Sequence, residues 1–403
     1  MMTYLDWAAT TPPDVGILQR ALEESSELFA NPSSAHRAGK AAKQLLEASR
    51  SSILSRLAPS FGGRLPPGGI VFTASGTEAD QLPLLALLRN PMKGSPSAST
   101  GKIRPHLLVS AIEHAAIDSQ VQALSRLGFD LSFVKPDSKG FVQPSKIAEA
   151  LRPTTKLVAV MAVNNETGAI QEISAIGRSI ASGAASLGIP SPLFHVDCVQ
   201  ALGKIRMDLS GGNVTSAAFS AHKIQGPKGV GALWHAKPLE PLAVGGGQEG
   251  GLRSGTENVF GISAFAACAT KAVSSLDARL EQALIIEESI LKGLKSISGA
   301  CAVPLGREAH DPRYSPWIVS AAFPGLGGEV FARALSDAGI AVSTGSACSH
   351  THATKGRRVL DAMGLSEELS FSTIRISFGP DTRPEEIDHF LSTAEDLYRR
   401  LKT

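Results

Sequence analysis

Cysteine is scarce in this chain: Cys198, Cys268, Cys301 and Cys348 are the four in 403 residues. That number builds no disulfide framework, so reduced thiols and a cytoplasmic location are expected. An excess of one charge is also missing. Lys and Arg together number 39 and Asp and Glu 37, a net of +2, which removes the broad basic field of a protein that lives on nucleic acid. No apolar run approaches the roughly 18 residues of a membrane span, and the longest, 157–163, has the length of a buried strand. The first residues, Met-Met-Thr-Tyr-Leu-Asp-Trp, lack the basic start and apolar stretch of a secretory signal. A Gly-x-x-x-x-Gly-Lys-Ser/Thr loop occurs nowhere, which argues against a P-loop NTPase.

What is present describes an ordinary globular protein: 43% hydrophobic and 19% charged residues. At about 150 residues per domain the length suggests two to three domains. Short apolar runs at 70–73, 107–110, 131–134, 156–163, 193–196 and 217–220 alternate with helical patterns. That order predicts an α/β protein with a mainly parallel sheet covered on both faces. After about residue 262 the texture changes. A long helical pattern covers 262–298, short strands follow near 340–343 and 373–378, and a last helix after Pro384 carries Ile387, Phe390, Leu391, Ala394, Leu397 and Leu401 on one stripe. The expected division is a large domain over 15–261, with 1–14 and 262–403 forming a smaller α+β domain. Segments 59–69 and 89–105, rich in Pro, Gly and Ser, read as insertions.

Lys223 in Ser220-Ala221-His222-Lys223 ends an apolar strand. A lysine at the mouth of a sheet can be an amine nucleophile for a carbonyl cofactor, though a lone lysine is usually a solvated charge. Asp197 ends another strand, at the sheet edge where ligands bind in such folds. A carboxylate there either pairs with a cation, such as a pyridine nitrogen, or caps a helix. Ser75-Gly76-Thr77 lies at a strand-to-helix junction, where free N–H groups can hold a phosphate or simply begin a helix. Ser220 and His222 could add donors. Around Cys348 the residues are small and polar, which suggests an exposed nucleophilic thiol loop. With His350 and His352 it could instead supply three metal ligands, but no fourth is evident and no metal site is expected. Arg375, in an alternating strand, is a carboxylate clamp or a paired structural charge. His114 could be a core histidine, Asn165 a turn residue, and Arg253 a loop-ordering charge.

Taken in order, several segments resemble the NifS/IscS-type cysteine desulfurases of the class V aminotransferase family, which are fold-type I pyridoxal 5'-phosphate enzymes. The matching segments include Leu5-Asp6-Trp7-Ala8-Ala9-Thr10-Thr11, Asn31-Pro32-Ser33-Ser34, Glu113-His114, Asn164-Asn165-Glu166-Thr167-Gly168, His195-Val196-Asp197, Ser220-Ala221-His222-Lys223, Arg253-Ser254-Gly255-Thr256-Glu257-Asn258 and Gly345-Ser346-Ala347-Cys348. By this resemblance Lys223 holds the cofactor through its amine, Asp197 pairs with the ring nitrogen and His114 stacks on the ring. Gln200 and Asn165 contact ring substituents or the bound amino acid. Gly76, Thr77, Ser220 and His222 hold the phosphate, joined by Thr256 from the partner subunit of a homodimer. Asn31 and Arg375 bind the substrate carboxylate, and Cys348 accepts sulfur.

The implied reaction converts L-cysteine to L-alanine, with Lys223 moving the Cα proton and Cys348 left as a persulfide. His350 or His352 could lower the Cys348 pKa. The sulfur would pass to acceptor proteins such as an iron–sulfur scaffold, or serve tRNA thiolation, with no nucleic acid or membrane as a direct partner. Selenocysteine lyase, a class V transaminase and a non-catalytic scaffold are the competing readings. Three features depart from the family pattern: Gly250 where a basic residue is usual, Cys198 where alanine is common, and the order of small residues in Ala74-Ser75-Gly76.

Overall fold

The computed structural model describes residues 2–89, 104–345 and 357–402. The strands, in chain order, are β1 (Thr3–Tyr4), β2 (Gly69–Thr73), β3 (His106–Ser110), β4 (Asp130–Val134), β5 (Thr155–Ala159), β6 (Leu193–Asp197), β7 (Ser216–Ser220), β8 (Gly231–His235), β9 (Cys301–Val303), β10 (Ile318–Ala322), β11 (Ile340–Ala341) and β12 (Thr373–Ser377). The helices are α1 (Val15–Glu27), α2 (Arg37–Leu57), α3 (Gly76–Ala86), α4 (Ala115–Arg126), α5 (Pro144–Ala150), α6 (Ile173–Ser186), α7 (Val259–Ser274), α8 (Leu276–Ser296), α9 (Gly328–Asp337), α10 (Arg358–Ala362), α11 (Glu367–Ser372) and α12 (Pro384–Leu401).

Seven strands form one sheet in the order β2-β8-β7-β6-β5-β3-β4. From β7 to β4 every neighbouring pair is parallel, whereas β8 runs antiparallel to both β2 and β7. The α/β architecture with a mostly parallel sheet is therefore as the sequence predicts. The reversed strand was not legible. Gly-Ala-Leu-Trp-His begins with glycine and directly follows the glycine- and proline-rich turn at 226–229, so its β signal is weak. The run at 156–163 is strand only to Ala159; its remainder carries the chain on to the turn at Asn164.

Both faces of the sheet are covered by apolar side chains. One face packs Phe72, Val158, Phe194 and Phe219 with Leu57 and Phe265 from helices, and the other packs Leu107, Val109 and Leu157 with Ile117, Val121 and Leu124. Burial on both sides is what makes these strands continuous apolar runs. A separate core holds Leu5, Ile290, Trp317, Phe331, Ile376 and Phe390 around the antiparallel sheet β12-β10-β9. The first residues belong to that core because β1 pairs in parallel with β11. On α12 the buried residues are Ile387, Phe390, Ala394 and Tyr398, and full burial of a side chain such as Ile387 or Phe390 stabilises by about 1.5–3 kcal/mol. Leu401 of the expected stripe is 37% exposed.

The helical pattern expected over 262–298 is two helices, α7 and α8, bent by 69°. The Ser275 hydroxyl bonds back to the Lys271 carbonyl at 2.7 Å and ends α7 there. No glycine or proline marks the break, so periodicity alone ran through it. No single described helix is long and apolar enough to cross a membrane.

Candidate active site

In a parallel sheet the carboxyl ends of the strands share one edge, and here that edge gathers the candidates. β2 leads into Ser75-Gly76-Thr77, β3 into Glu113-His114 and β5 into the turn at 164–168, while β6 ends at Asp197 and β7 at Ser220. Local chemistry fixes each turn. At the start of α3, Ser75 Oγ accepts from the Glu78 amide at 3.1 Å and the Glu78 carboxylate accepts from the Ala74 amide, a reciprocal cap. Glu78 also pairs with Arg253 at 3.3 Å, which ties the later glycine loop to this turn. At α4, His114 is itself the cap: its Nδ1 accepts from the Ala116 amide at 3.1 Å.

The cradle at α3 is open because Gly76 has no side chain. A Cβ there would lie 2.8 Å from Val199 Cγ2 and 3.1 Å from Ser220 Cβ. Gly231 permits the approach from below, since its Cβ would meet the Ser75 carbonyl at 2.6 Å and the Gly76 nitrogen at 2.8 Å. The Ser220 hydroxyl, buried, has no hydrogen-bond partner among the described residues. An unpaired buried hydroxyl beside the free N–H groups of a helix start fits a phosphate.

Lys223 lies in the turn after β7. Its Nζ donates to the carbonyls of Ala8 at 2.6 Å and Ala9 at 2.7 Å. The same Ala8 carbonyl accepts from Gln200 Nε2 at 2.9 Å. His222 Nδ1 meets the Thr10 hydroxyl at 3.1 Å, so the segment 8–10 crosses directly over the lysine turn. Burial pushes the His222 pKa down to about 4, helped by Lys223 and Lys204, which keeps the ring neutral.

Asp197 is buried and accepts from the Val199 amide at 2.8 Å. Burial raises its pKa, while His114 and Lys223 pull it back toward the carboxylate. Burial lowers the pKa of His114, with Asp197 opposing. A buried carboxylate facing a histidine and a lysine fits the cationic nitrogen of a pyridine ring. The donors and acceptors present therefore fit pyridoxal phosphate: Lys223 for its aldehyde, Asp197 for its ring nitrogen, and Gly76 with Ser220 for its phosphate.

Arg375 is buried on β12. Its Nη1 donates to the Asn165 carbonyl at 2.9 Å, its Nη2 pairs with Asp6 at 2.8 Å, and its Nε has no partner among the described residues. Of the two sequence readings, the paired structural charge has its partner in Asp6. Asn31 is exposed, its side chain accepting from the Ser33 amide at 2.9 Å, and Thr256 is exposed on the loop before α7. Neither side chain hydrogen-bonds to the Lys223 group among the described residues. Thr77 is likewise exposed, one residue into α3. Cys348, His350 and His352 lie outside the described residues. Among the described residues no group of three or more His, Cys, Asp or Glu could hold a metal ion.

Three features went unread in the sequence. Asp80, on α3, reaches His195 Nε2 at 3.1 Å, and His195 Nδ1 meets the Ser216 hydroxyl at 2.9 Å, a fully buried chain linking α3, β6 and β7. Burial takes the His195 pKa down to about 3 and raises that of Asp80. Glu249 anchors the glycine loop: it takes two bonds from Arg50, at 2.7 and 3.0 Å, and one from the Phe72 amide at 2.8 Å. Beside it Gly250 adopts φ +64°, a left-handed conformation that glycine takes at no steric cost. Lys204 donates to Gln200 Oε1 at 2.7 Å. For Asp80 the only signal was its i+4 spacing from Gly76; for Lys204, its i+4 spacing from Gln200.

Fold and site together define a class. Residues 3–390 match the family model for class V aminotransferases, and the chain belongs to that family, whose members depend on pyridoxal phosphate. It is an enzyme of the cysteine desulfurase kind, related over its whole length to proteins of that name. The cysteine desulfurase IscS of Anaeromyxobacter sp. (strain Fw109-5) is 36% identical over 99% of this chain and 93% of its own. A solved NifS-like protein superposes with a TM-score of 0.84 at 33% identity, covering 100% of both chains. A structure described as SspA in complex with cysteine has a TM-score of 0.72 at 30% identity, over 94% of this chain and 99% of that one.

Proposed function

We propose that the protein takes sulfur from L-cysteine, releases L-alanine and carries the sulfur as a persulfide on Cys348 for delivery to an acceptor protein. The observation that carries this reading is the joint placement of Lys223, Asp197 and the partnerless Ser220 hydroxyl at one sheet edge. Pyridoxal phosphate, when bound, supplies an electron sink for charge developing at the substrate Cα. The chain's own groups do the rest. Arg375 presents its free Nε to the substrate carboxylate, assisted by Asn31. Lys223 takes the Cα proton, His114 covers the ring face, and Gln200 and Asn165 hold the ring's oxygen side. The Cys348 thiolate attacks the substrate sulfur, so an S–S bond forms as the C–S bond breaks and the pair from that bond is protonated on the carbon.

Two proposals follow for assembly. The division expected at 15–261 is moved to the end of α7, whose Phe265 packs on the seven-stranded sheet, and Cys348 is proposed to belong to the smaller part formed by 1–14 and the residues after α7. Thr256 and Thr77, both exposed, suit a homodimer in which Thr256 completes the partner's phosphate site. The acceptor is proposed to be an iron–sulfur scaffold, with a tRNA-thiolation protein the alternative acceptor. The test is an assay of alanine and sulfide from cysteine using wild type, Lys223→Ala and Cys348→Ala. Equimolar alanine and persulfide sulfur that vanish in both variants support the reading. Amino-group exchange or pyruvate formation would replace it with transaminase or lyase chemistry, and retained selenocysteine cleavage in Cys348→Ala would favour the selenocysteine reading.

A further inference from the structure

Lys204 is a buried cation near the site with no carboxylate to pair with among the described residues. Its carbonyl accepts from Trp317 Nε1 at 2.9 Å, which holds its backbone in place, and its Nζ donates to Gln200 Oε1 at 2.7 Å. Lys204 and Lys223 line one small cavity, of about 20 Å³, together with Arg279, Trp7, Trp317 and Phe378. The charges facing Lys204 are Lys223 after β7 and Arg375 on β12, with Arg279 of α8 across the cavity and neutral His222 nearby. All are basic. Burial, with Lys223 and Arg375, holds the Lys204 pKa down to about 7.

This arrangement fixes the Gln200 amide from both ends. In its ammonium form Lys204 only donates and the Ala8 carbonyl only accepts, so below about pH 7 Oε1 faces Lys204 and Nε2 faces Ala8. Nε2 and Lys223 Nζ then converge on the same Ala8 carbonyl. We propose that Lys204 is a positioning residue for the Lys223 site: it locks the Gln200 amide with its nitrogen toward the lysine and maintains positive potential against the Lys223 amine. The inference rests on the cofactor reading of Lys223. On that amine Lys204 is opposed by the Asp197 carboxylate, with His114, whose pKa burial lowers, and His222 beside it. A neighbouring cation disfavours a second positive charge, so its removal raises the pH at which the lysine-linked nitrogen loses its proton.

The test uses the holoprotein, comparing wild type with Lys204→Met, Lys204→Gln and Lys204→Arg. The visible absorption band of the lysine-linked cofactor is titrated with pH, and pyridoxal phosphate affinity is measured by fluorescence. The two neutral variants are expected to shift the band's midpoint upward by about one pH unit, and the arginine variant to restore it. Lys204→Met is expected to weaken cofactor binding severalfold in the wild-type background and by clearly less in Gln200→Ala, because the part of its effect that passes through that amide is already gone. If Lys204→Met does not fold, Lys204→Gln carries the same comparison, with a similar reach and no charge. An unmoved midpoint in the folded neutral variants, or additive losses with Gln200→Ala, would overturn the inference. A wild-type protein that shows no such band would instead overturn the reading of Lys223 itself.

Discussion

Replacing Ser220 by alanine should change the sign of its effect according to whether the cofactor is present. In the protein alone the Ser220 hydroxyl is buried without a partner, and an unsatisfied group of this kind costs the folded state about 1–3 kcal/mol. Alanine removes that cost and leaves a void smaller than a methyl group, so the apoprotein is expected to gain about 1 kcal/mol in urea unfolding. With phosphate in the cradle the same hydroxyl becomes a donor to a charged acceptor, worth about 1.5–3 kcal/mol. Its loss therefore weakens pyridoxal phosphate binding by about 10- to 100-fold. The assay is paired: denaturant midpoints of the apoproteins, and titration of each with pyridoxal phosphate. The added stability at a fixed cofactor concentration should shrink in parallel with the affinity. An apoprotein destabilised by the substitution, or an unchanged cofactor affinity, would refute the assignment of the cradle.

Glu249→Gln should destabilise the protein by about 3 kcal/mol, because Arg50 loses a carboxylate that is 1% exposed; a urea-measured loss below about 1 kcal/mol would contradict the anchoring of the glycine loop. Glu113 is held near pKa 8 by burial, against an ordinary 4.5. A raised folded-state pKa favours the native state at low pH, so this contribution, up to about 5 kcal/mol, is lost as pH rises from 4.5 through 8. Glu113→Gln should flatten the stability profile across that window, and an unchanged slope in denaturant midpoints would show that the group is ionised in the fold. Arg375→Lys should raise KM for cysteine about tenfold or more while changing kcat less, since a lysine cannot reproduce the planar fork; equal falls in kcat and kcat/KM would move Arg375 from binding to the chemical step.

Much of this was legible because function sits where strands end. Asp197 and Ser220 close apolar runs, His114 precedes a helix, and each such junction is punctuated in the sequence by a change from β-branched or aliphatic residues to small polar ones. The strand β8 was not legible, because a glycine start and a flanking turn masked its pattern. The α7–α8 bend escaped because Ser275 breaks the helix through its own hydroxyl rather than by glycine or proline. Asp80, Glu249 and Lys204 escaped for a different reason. Each is a charge buried by tertiary contact, and nothing within a local window distinguishes Lys204 from a solvated lysine or Arg50–Glu249, separated by most of the large sheet, from two surface charges. The resemblance to cysteine desulfurases supplied roles for residues whose local signals were ambiguous, and the geometry adds partners that give those roles a physical basis.

Borohydride reduction of the cofactor-loaded protein, followed by peptide mapping, tests the account at its root. The account predicts one pyridoxyl group per chain, carried on the peptide containing Lys223 and absent from Lys223→Ala. A label on Lys204 or another lysine with position 223 unmodified would contradict it.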